Sequence, residues 1–429
     1  MEFVIKSDRI PVCGSYDVIV AGGGVAGVAA ALSASRLGKS VLLIEKSVAL
    51  GGLATIGLIS LFVPMCNGRG KLIEKGMAWD FLQLSIRYGY DSLPEEWKNG
   101  EPESPTTVRC RAHYSPQIFA FALNEEISRS GVKVLYDTVV TAPIMEGGVC
   151  TGLIVENKSG RQCYRGRVIV DVTGDADILH RAGVPCVQGQ NYFTSIYMKT
   201  TLESCEKAVR SGNIGDAMFW TMGGPASLYG KNHPEGMHTF TGTDVEDISE
   251  FVIQNQLLIL DKIRDDPRTS RDIVTMPTMA QFRTTRHLVG DYTLTTDDVF
   301  EHFHDSVTAI CDMDQRDYLY ELPYRTMVRS GYDNLITAGR SISAEGYAWD
   351  VARVIPPAIL TGQAAGIAAS MKIDRNIPIA EINTAELQQT LADQNVMVHF
   401  DDGLVPPIGK EGADAQAKGG PSDTSFQLS

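Results

Sequence analysis

An α/β fold is predicted: a parallel sheet with crossover helices, extended by an antiparallel β-meander and interrupted by an inserted α+β domain. Three observations predict it. Residues 16–52, YDVIVAGGGVAGVAAALSASRLGKSVLLIEKSVALGG, run strand, glycine turn, helix, strand. Apolar, β-branched runs at 132–136, 168–172 and 335–338 supply further buried strands. Between them, residues 139–170 alternate strand-like runs with turn signals at Gly147-Gly148 and Ser159-Gly160.

Taken in order, Tyr16 to Ala21 is the first buried strand. Gly22, Gly24 and Gly27 then form a G-x-G-x-x-G turn. Gly22 allows the tight turn, Gly24 lets backbone approach a pyrophosphate, and Gly27 lets the helix pack closely on the strand. The alanine-rich helix from Ala26 to Leu37 ends at Gly38 and presents its N–H groups and partial positive charge to phosphates. Val41 to Ile44 is the second strand. Glu45 stands at its end, near the ~20-residue spacing expected of a ribose-binding acid. That carboxylate would accept from a 2′-OH and repel a 2′-phosphate, so the predicted ligand is FAD or NAD, not NADP. The unit is Rossmann-like.

Further on, Phe3 to Pro11 suggests a short strand, and residues 53–114 open on the apolar lead LATIGLISLFVPM, with a helix near 72–88. Ser115-Pro116 caps a helix that Gly131 ends. Residues 186–322 mix strands and helices, with a helix at 245–264, and read as a substrate-binding domain. Pro356-Pro357 opens an apolar helix through Ser370. The nucleotide-binding domain is therefore discontinuous, from 1–60, 115–185 and 323–375, with an insertion at 61–114. A C-terminal segment follows at 376–407, and the polar tail 408–429 is expected to be disordered.

Composition narrows function. A chain of 429 residues exceeds one compact core, so at least two domains are expected. The net charge of −14 argues against nucleic acid or anionic membranes as partners. No apolar run nears the ~20 residues of a membrane span, and MEFVIKSDRIPV lacks a signal-peptide core, so a cytoplasmic location is expected. The eight cysteines include no C-x-x-C pair and none clusters with histidine, which disfavours metal centres and dithiol chemistry. His302-x-His304 lacks a third ligand at recognisable spacing and reads as a solvated loop.

The continuation of the second strand into Glu45-Lys46 and then Gly51-Gly52 resembles FAD-dependent oxidoreductases of the broad glutathione-reductase-like superfamily. VENKSGR at 155–161, VIVDVTGDADILHRAG at 168–183, RHLVGDYTLT at 286–295 and NLITAGRSISA at 334–344 sharpen the likeness to the bacterial FAD-dependent oxidoreductase family. The resemblance spans about residues 10–370 and implies FAD as the cofactor. It implies that Lys46, Gly51 and Gly52 border the ribose and phosphates, that Val140 lies at the adenine edge, and that Thr173-Gly174-Asp175 adjoins FAD. A capped strand-to-helix turn with Asp175 as N-cap is the structural alternative there. Gly339 sits where related flavoproteins approach the ribityl chain. Arg340 replaces their usual acid and could pair with a phosphate. The helix opened by Pro356-Pro357 would point its N-terminus at the flavin, aided by Arg353, for which a surface ion pair is the equal alternative.

For chemistry, the favoured candidates are His287 as a base, Arg286 as an anion holder, and Tyr347, which lies between the Gly339-Arg340 turn and the flavin-facing helix. Glu345, Asp350, Arg111, His113 and Cys66 are weaker candidates, Cys66 reading as an inert buried thiol. Three readings stay open: oxidation of a small polar CH–OH or CH–NH substrate with electrons passed to an external acceptor, reduction of an activated double bond, and a non-redox dinucleotide-binding module. No second G-x-G-x-x-G is present, which supports the external acceptor. A homo-oligomer is compatible with all three.

Overall fold

Buried β-branched runs form the centre of the molecule, as their composition requires. In the computed structural model, which describes residues 9–406, strands Lys133–Leu135, Val41–Ile44, Val12–Ala21 and Gly160–Asp171 lie side by side in that order and parallel. Val18, Ile19 and Val20 are wholly buried, with helices or meander covering both faces. The strand Gly160–Asp171 serves two structures at once. Its first half pairs antiparallel with Val149–Asn157, which pairs with Val139–Glu146 to make the predicted meander. Its last residues pair parallel with Leu335–Thr337. The suggested strand at 3–11 falls largely, and the tail expected to be disordered wholly, outside the described residues.

Helix Val25–Arg36 packs on one sheet face against the long helix Ile355–Arg375. A Cβ on Gly362 would stand 2.2 Å from the Ala26 carbonyl, and one on Gly366 2.3 Å from that of Ala30. Glycine at this four-residue spacing lets the two backbones touch. Because 362 meets 26 and 366 meets 30, the helices run the same way, and both N-termini face the carboxyl edge of the sheet. Helix Pro116–Arg129 starts as predicted: Ser115 accepts from the Ile118 N–H, and proline occupies the first turn.

The segment 61–114 is less separate than an insertion implies. Strands Leu61–Phe62 and Ala112–His113 pair, and Phe62, Met65, Trp97, Cys110 and Tyr114 are buried in the main core. Within 186–322, strand Ile196–Thr201 lies between Phe219–Met222 and Arg271–Thr275, beside the helix Val245–Arg264 capped by Asp244. Phe193, Phe240, Phe251 and Phe282 form a core of their own. The hairpin Ser306–Cys311 and Leu319–Pro323 instead buries Val307, Ile310 and Leu322 in the main core. Among the described residues, no single helix is long and apolar enough to cross a membrane.

Candidate active site

A continuous cavity of about 470 Å³ lies at the carboxyl edge of the sheet. Gly22, Gly24, Glu45, Lys46, Gly51 and Gly52 line it, with Thr173 and Gly174 opposite and Val140 at the meander side. Gly22 has φ +111°, and a Cβ there would stand 2.3 Å from the Val172 carbonyl, so the turn admits only glycine. A Cβ on Gly27 would be 1.9 Å from the Gly22 carbonyl, which explains the third glycine. Gly24 is different: its Cβ would meet nothing within 4 Å. The turn opens into the cavity there, leaving a cradle that a side chain would fill. Gly51 joins it through a parallel bridge to Gly24, and its N–H donates to the Gly23 carbonyl at 2.8 Å.

Glu45 is buried, and its carboxylate accepts from the N–H groups of Gly23 and Ser47, both at 2.7 Å. It thereby braces the glycine turn, and each oxygen keeps a lone pair for a sugar hydroxyl. A bare cradle, a helix N-terminus and a carboxylate at the strand end together fit the diphosphate and ribose of a dinucleotide.

Thr173 and Gly174 face this cavity; Asp175 does not. Asp175 accepts from Arg340 at 2.6 Å and from the Thr285 hydroxyl at 2.7 Å. Nor is Asp175 the N-cap of the helix Asp177–Arg181: Ala176 holds that position with φ +50°. Asp171 does the capping, accepting from the N–H groups of Ile178 and Leu179, each at 2.9 Å. Burial lifts the Asp171 carboxyl to about 6 despite those donors.

Arg340 lines the cavity beside Gly339, yet its guanidinium is bonded to protein. It donates to the Gly174 carbonyl at 2.7 Å, to Asp175 and to the Phe282 carbonyl. The expectation of a phosphate partner is corrected accordingly: Arg340 staples the 173–175 turn to the 282 backbone. Arg353 also lines the cavity, its Nε and Nη2 both donating to Asp350 Oδ1, at 2.9 and 2.5 Å. It is a cavity-wall ion pair, and the first turn of helix Ile355–Arg375 also lines the cavity.

The three predicted catalytic side chains do not line the cavity. His287 is buried on strand Arg286–Leu288, its ring edge-on to Trp349 and its Nδ1 2.7 Å from the Leu288 carbonyl. Burial pushes it below the ordinary histidine value, and it is not among the residues lining the cavity. Arg286 reaches back to the Asp175 carbonyl at 3.3 Å and to Asp177 at 3.5 Å. Tyr347 donates to Asp312 at 2.8 Å within a polar cluster where Tyr229 donates to Asp314. Cys66 is fully buried, and His113 stands edge-on behind the cavity-lining Trp220 at 5.4 Å. His302 and His304 are exposed and lie in a loop, as read from the sequence, but His302 is not free there. It bonds Glu321 at 2.6 Å and Asp402 at 2.9 Å, with His399 on the other Glu321 oxygen at 3.0 Å. Ligand-type atoms of His302, Glu321 and His399 fall within 4.8 Å of one another, a grouping hidden by a sequence gap of nearly a hundred residues.

Sequence reasoning missed the far end of the cavity, formed by Thr194, Trp220, Met222, Gln281, Arg283 and Met313. Only Arg283 left a trace, standing three residues before the favoured Arg286.

A family model of FAD dependent oxidoreductases matches residues 17–217 and 237–391. The chain belongs to the FAD-dependent oxidoreductase family. Among curated relatives, this FAD-dependent oxidoreductase is 27% identical over 185 residues to a digeranylgeranylglycerophospholipid reductase of Methanoculleus marisnigri, covering 40% of this chain and 42% of that protein. It is also 27% identical over 173 residues to the tRNA uridine 5-carboxymethylaminomethyl modification enzyme of Enterococcus faecalis, covering 38% and 24%. The matches thus span well under half of either relative. A solved geranylgeranyl bacteriochlorophyll reductase-like protein of Thermoplasma acidophilum is similar over 91% of this chain and 94% of its own, with 13% identity and a TM-score of 0.44. A p-nitrophenol 4-monooxygenase of Pseudomonas putida is similar over 94% and 93%, with 11% identity and a TM-score of 0.48.

Proposed function

We propose that this FAD-dependent oxidoreductase dehydrogenates a small substrate at a CH–NH or CH–OH centre and passes the electrons to an external acceptor. The carrying observation is the single cavity that joins the glycine cradle to a cationic end with apolar walls. Bound FAD, held by the Gly22–Gly27 turn, Glu45, Gly51-Gly52 and Thr173-Gly174, supplies two-electron redox chemistry. The chain's own contribution at the far end is binding, orientation and exclusion of water by Trp220, Met222, Met279 and Met313.

The lining contains no histidine, cysteine or tyrosine, and its carboxylates are Glu45, beneath the glycine turn, and Asp177, beside the 173–174 turn. This favours CH–NH over CH–OH. A substrate amine binds in its neutral form, its proton left to solvent, since no lining base takes it. A neutral amine closes a C=N bond on its own lone pair, whereas an alcohol must surrender its O–H proton to a base. The external acceptor accords with a single parallel sheet among the described residues. Eight unpaired thiols accord with a reducing, cytoplasmic setting.

Reduction of an activated double bond is the second reading, favoured by the same arginines, which would stabilise an enolate's charge. Anaerobic mixing of holoenzyme with amines, amino acids and alcohols separates the two. Bleaching of the yellow band by CH–NH compounds supports the first. Re-oxidation of dithionite-reduced enzyme by unsaturated acids, with no bleaching by any of these amines, amino acids or alcohols, overturns it.

A further inference from the structure

Of the three arginines that line the cavity, two are satisfied by the protein: Arg340 by three acceptors and Arg353 by Asp350. Arg283 is not. Its backbone N–H donates to Asn191 at 2.6 Å, but among the described residues its guanidinium has no hydrogen bond or ion pair. Arg283 is partly buried, and it lines the cavity. Burial and the charge of Arg353 push it down to about 9, which still leaves it cationic at neutral pH. A partly buried charge without a protein partner is unfavourable until water or a ligand completes it.

A second orphan lies close by. Thr194 lines the same cavity, is 1% exposed, and its hydroxyl has no partner. The two are held on adjacent segments by amide side chains. Asn191 accepts from the N–H groups of Arg283 and Thr284, at 2.6 and 3.0 Å. Gln281 accepts from the Ile196 N–H at 2.7 Å and donates to the Ile196 carbonyl at 2.8 Å. Segments 191–196 and 281–284 are therefore locked side by side, and Thr194 and Arg283 both line the cavity. The remaining walls, Ile196, Trp220, Met222 and Met313, are apolar.

We propose that Arg283, with Thr194, anchors a carboxylate on the substrate, and that the substrate is an acid with an apolar body. This rests on the reading that substrate occupies the far end of the cavity. The planar guanidinium fork matches a carboxylate in a bidentate pair, and Thr194 donates a third hydrogen bond. Taken with the absence of a lining base, the class is an amino acid or other N-bearing carboxylate with an apolar side chain.

Binding is tested apart from turnover. FAD-loaded protein is titrated with benzoate and with benzamide, following the visible flavin spectrum. Benzoate is expected to saturate, with benzamide at least tenfold weaker. Arg283→Met weakens benzoate binding about 30- to 100-fold, Arg283→Lys restores part of it, and Thr194→Val weakens it a few-fold, all with FAD content unchanged. Equal affinity for acid and amide, no saturable benzoate binding, or wild-type benzoate affinity in Arg283→Met overturns the proposal. Loss of FAD from Arg283→Met also overturns it, by assigning the arginine to the cofactor. If benzoate binds through Arg283 but no N-bearing acid bleaches the flavin, the anchor stands and the dehydrogenase reading fails.

Discussion

At the glycine cradle, Gly22, Gly24, Gly51 and Gly52 offer bare backbone to the cavity and one carboxylate, Glu45, braces the turn. At the far end, Thr194, Trp220, Arg283, Met313 and Arg353 arrive from five separate segments and act through their side chains. The first region is encoded by short-range conformational rules, the second by tertiary assembly. A contiguous stretch of backbone can specify a diphosphate. A substrate is specified only where distant segments meet.

The sharpest way to break this contrast is Gly24→Leu. The side chain has room, so folding persists, but it fills the cradle. FAD affinity is expected to fall at least about 100-fold, read from flavin content with an unchanged apo-protein melting curve. Normal flavin content would remove Gly24 from the cofactor site. Next comes Glu45→Gln, which weakens the bond to Gly23 and offers the ribose a poorer acceptor. An affinity loss of about tenfold is expected, from equilibrium dialysis. A smaller effect is expected from His287→Phe, which keeps the ring contact with Trp349. Anaerobic flavin reduction should proceed at the wild-type rate, with stability reduced by about 1 kcal/mol from the lost bond to the Leu288 carbonyl. Slowed reduction at full FAD content would return His287 to the chemistry.

The smallest effect concerns pH. Partial burial opposes charging His302, but its bonds to Asp402 and Glu321 outweigh this and raise it above the ordinary histidine value. Its stabilising contribution is therefore complete below about 6.5 and lost as pH rises through the raised value. Between pH 6 and 8 the melting temperature should drop by at most about 2 °C on this account, since the side chain is well exposed. His302→Gln should flatten that part of the profile; an unchanged slope would assign it to other groups.

Much of the fold was legible, because local rules wrote it. The strands at 18–21, 41–44 and 168–171, the Ser115 cap and the helix Val245–Arg264 all follow from periodicity and capping chemistry. His287 shows why the site was harder. A histidine beside arginine in a family-like segment suggests catalysis, yet strand pairing with Cys186–Gln188 and the packing of Trp349 turn it into the core. Arg283, in the same run, faces the cavity instead because Asn191 and Gln281 fix its segment against 191–196. Those amide contacts join residues about ninety positions apart, beyond the reach of any local pattern. Arg340 was visible in sequence, but its partner was not, since Phe282 and Asp175 come from other segments.

The glycine-to-backbone contact of the helices Val25–Arg36 and Ile355–Arg375 has an electrical consequence. With their axes side by side and pointing alike, both positive ends face the cavity, about 10 Å apart along the axis because Gly362, seven residues into one helix, meets Ala26 at the start of the other. A bound molecule that gains negative charge during turnover is therefore met by a fixed, pre-oriented potential, with no side chain having to swing into place.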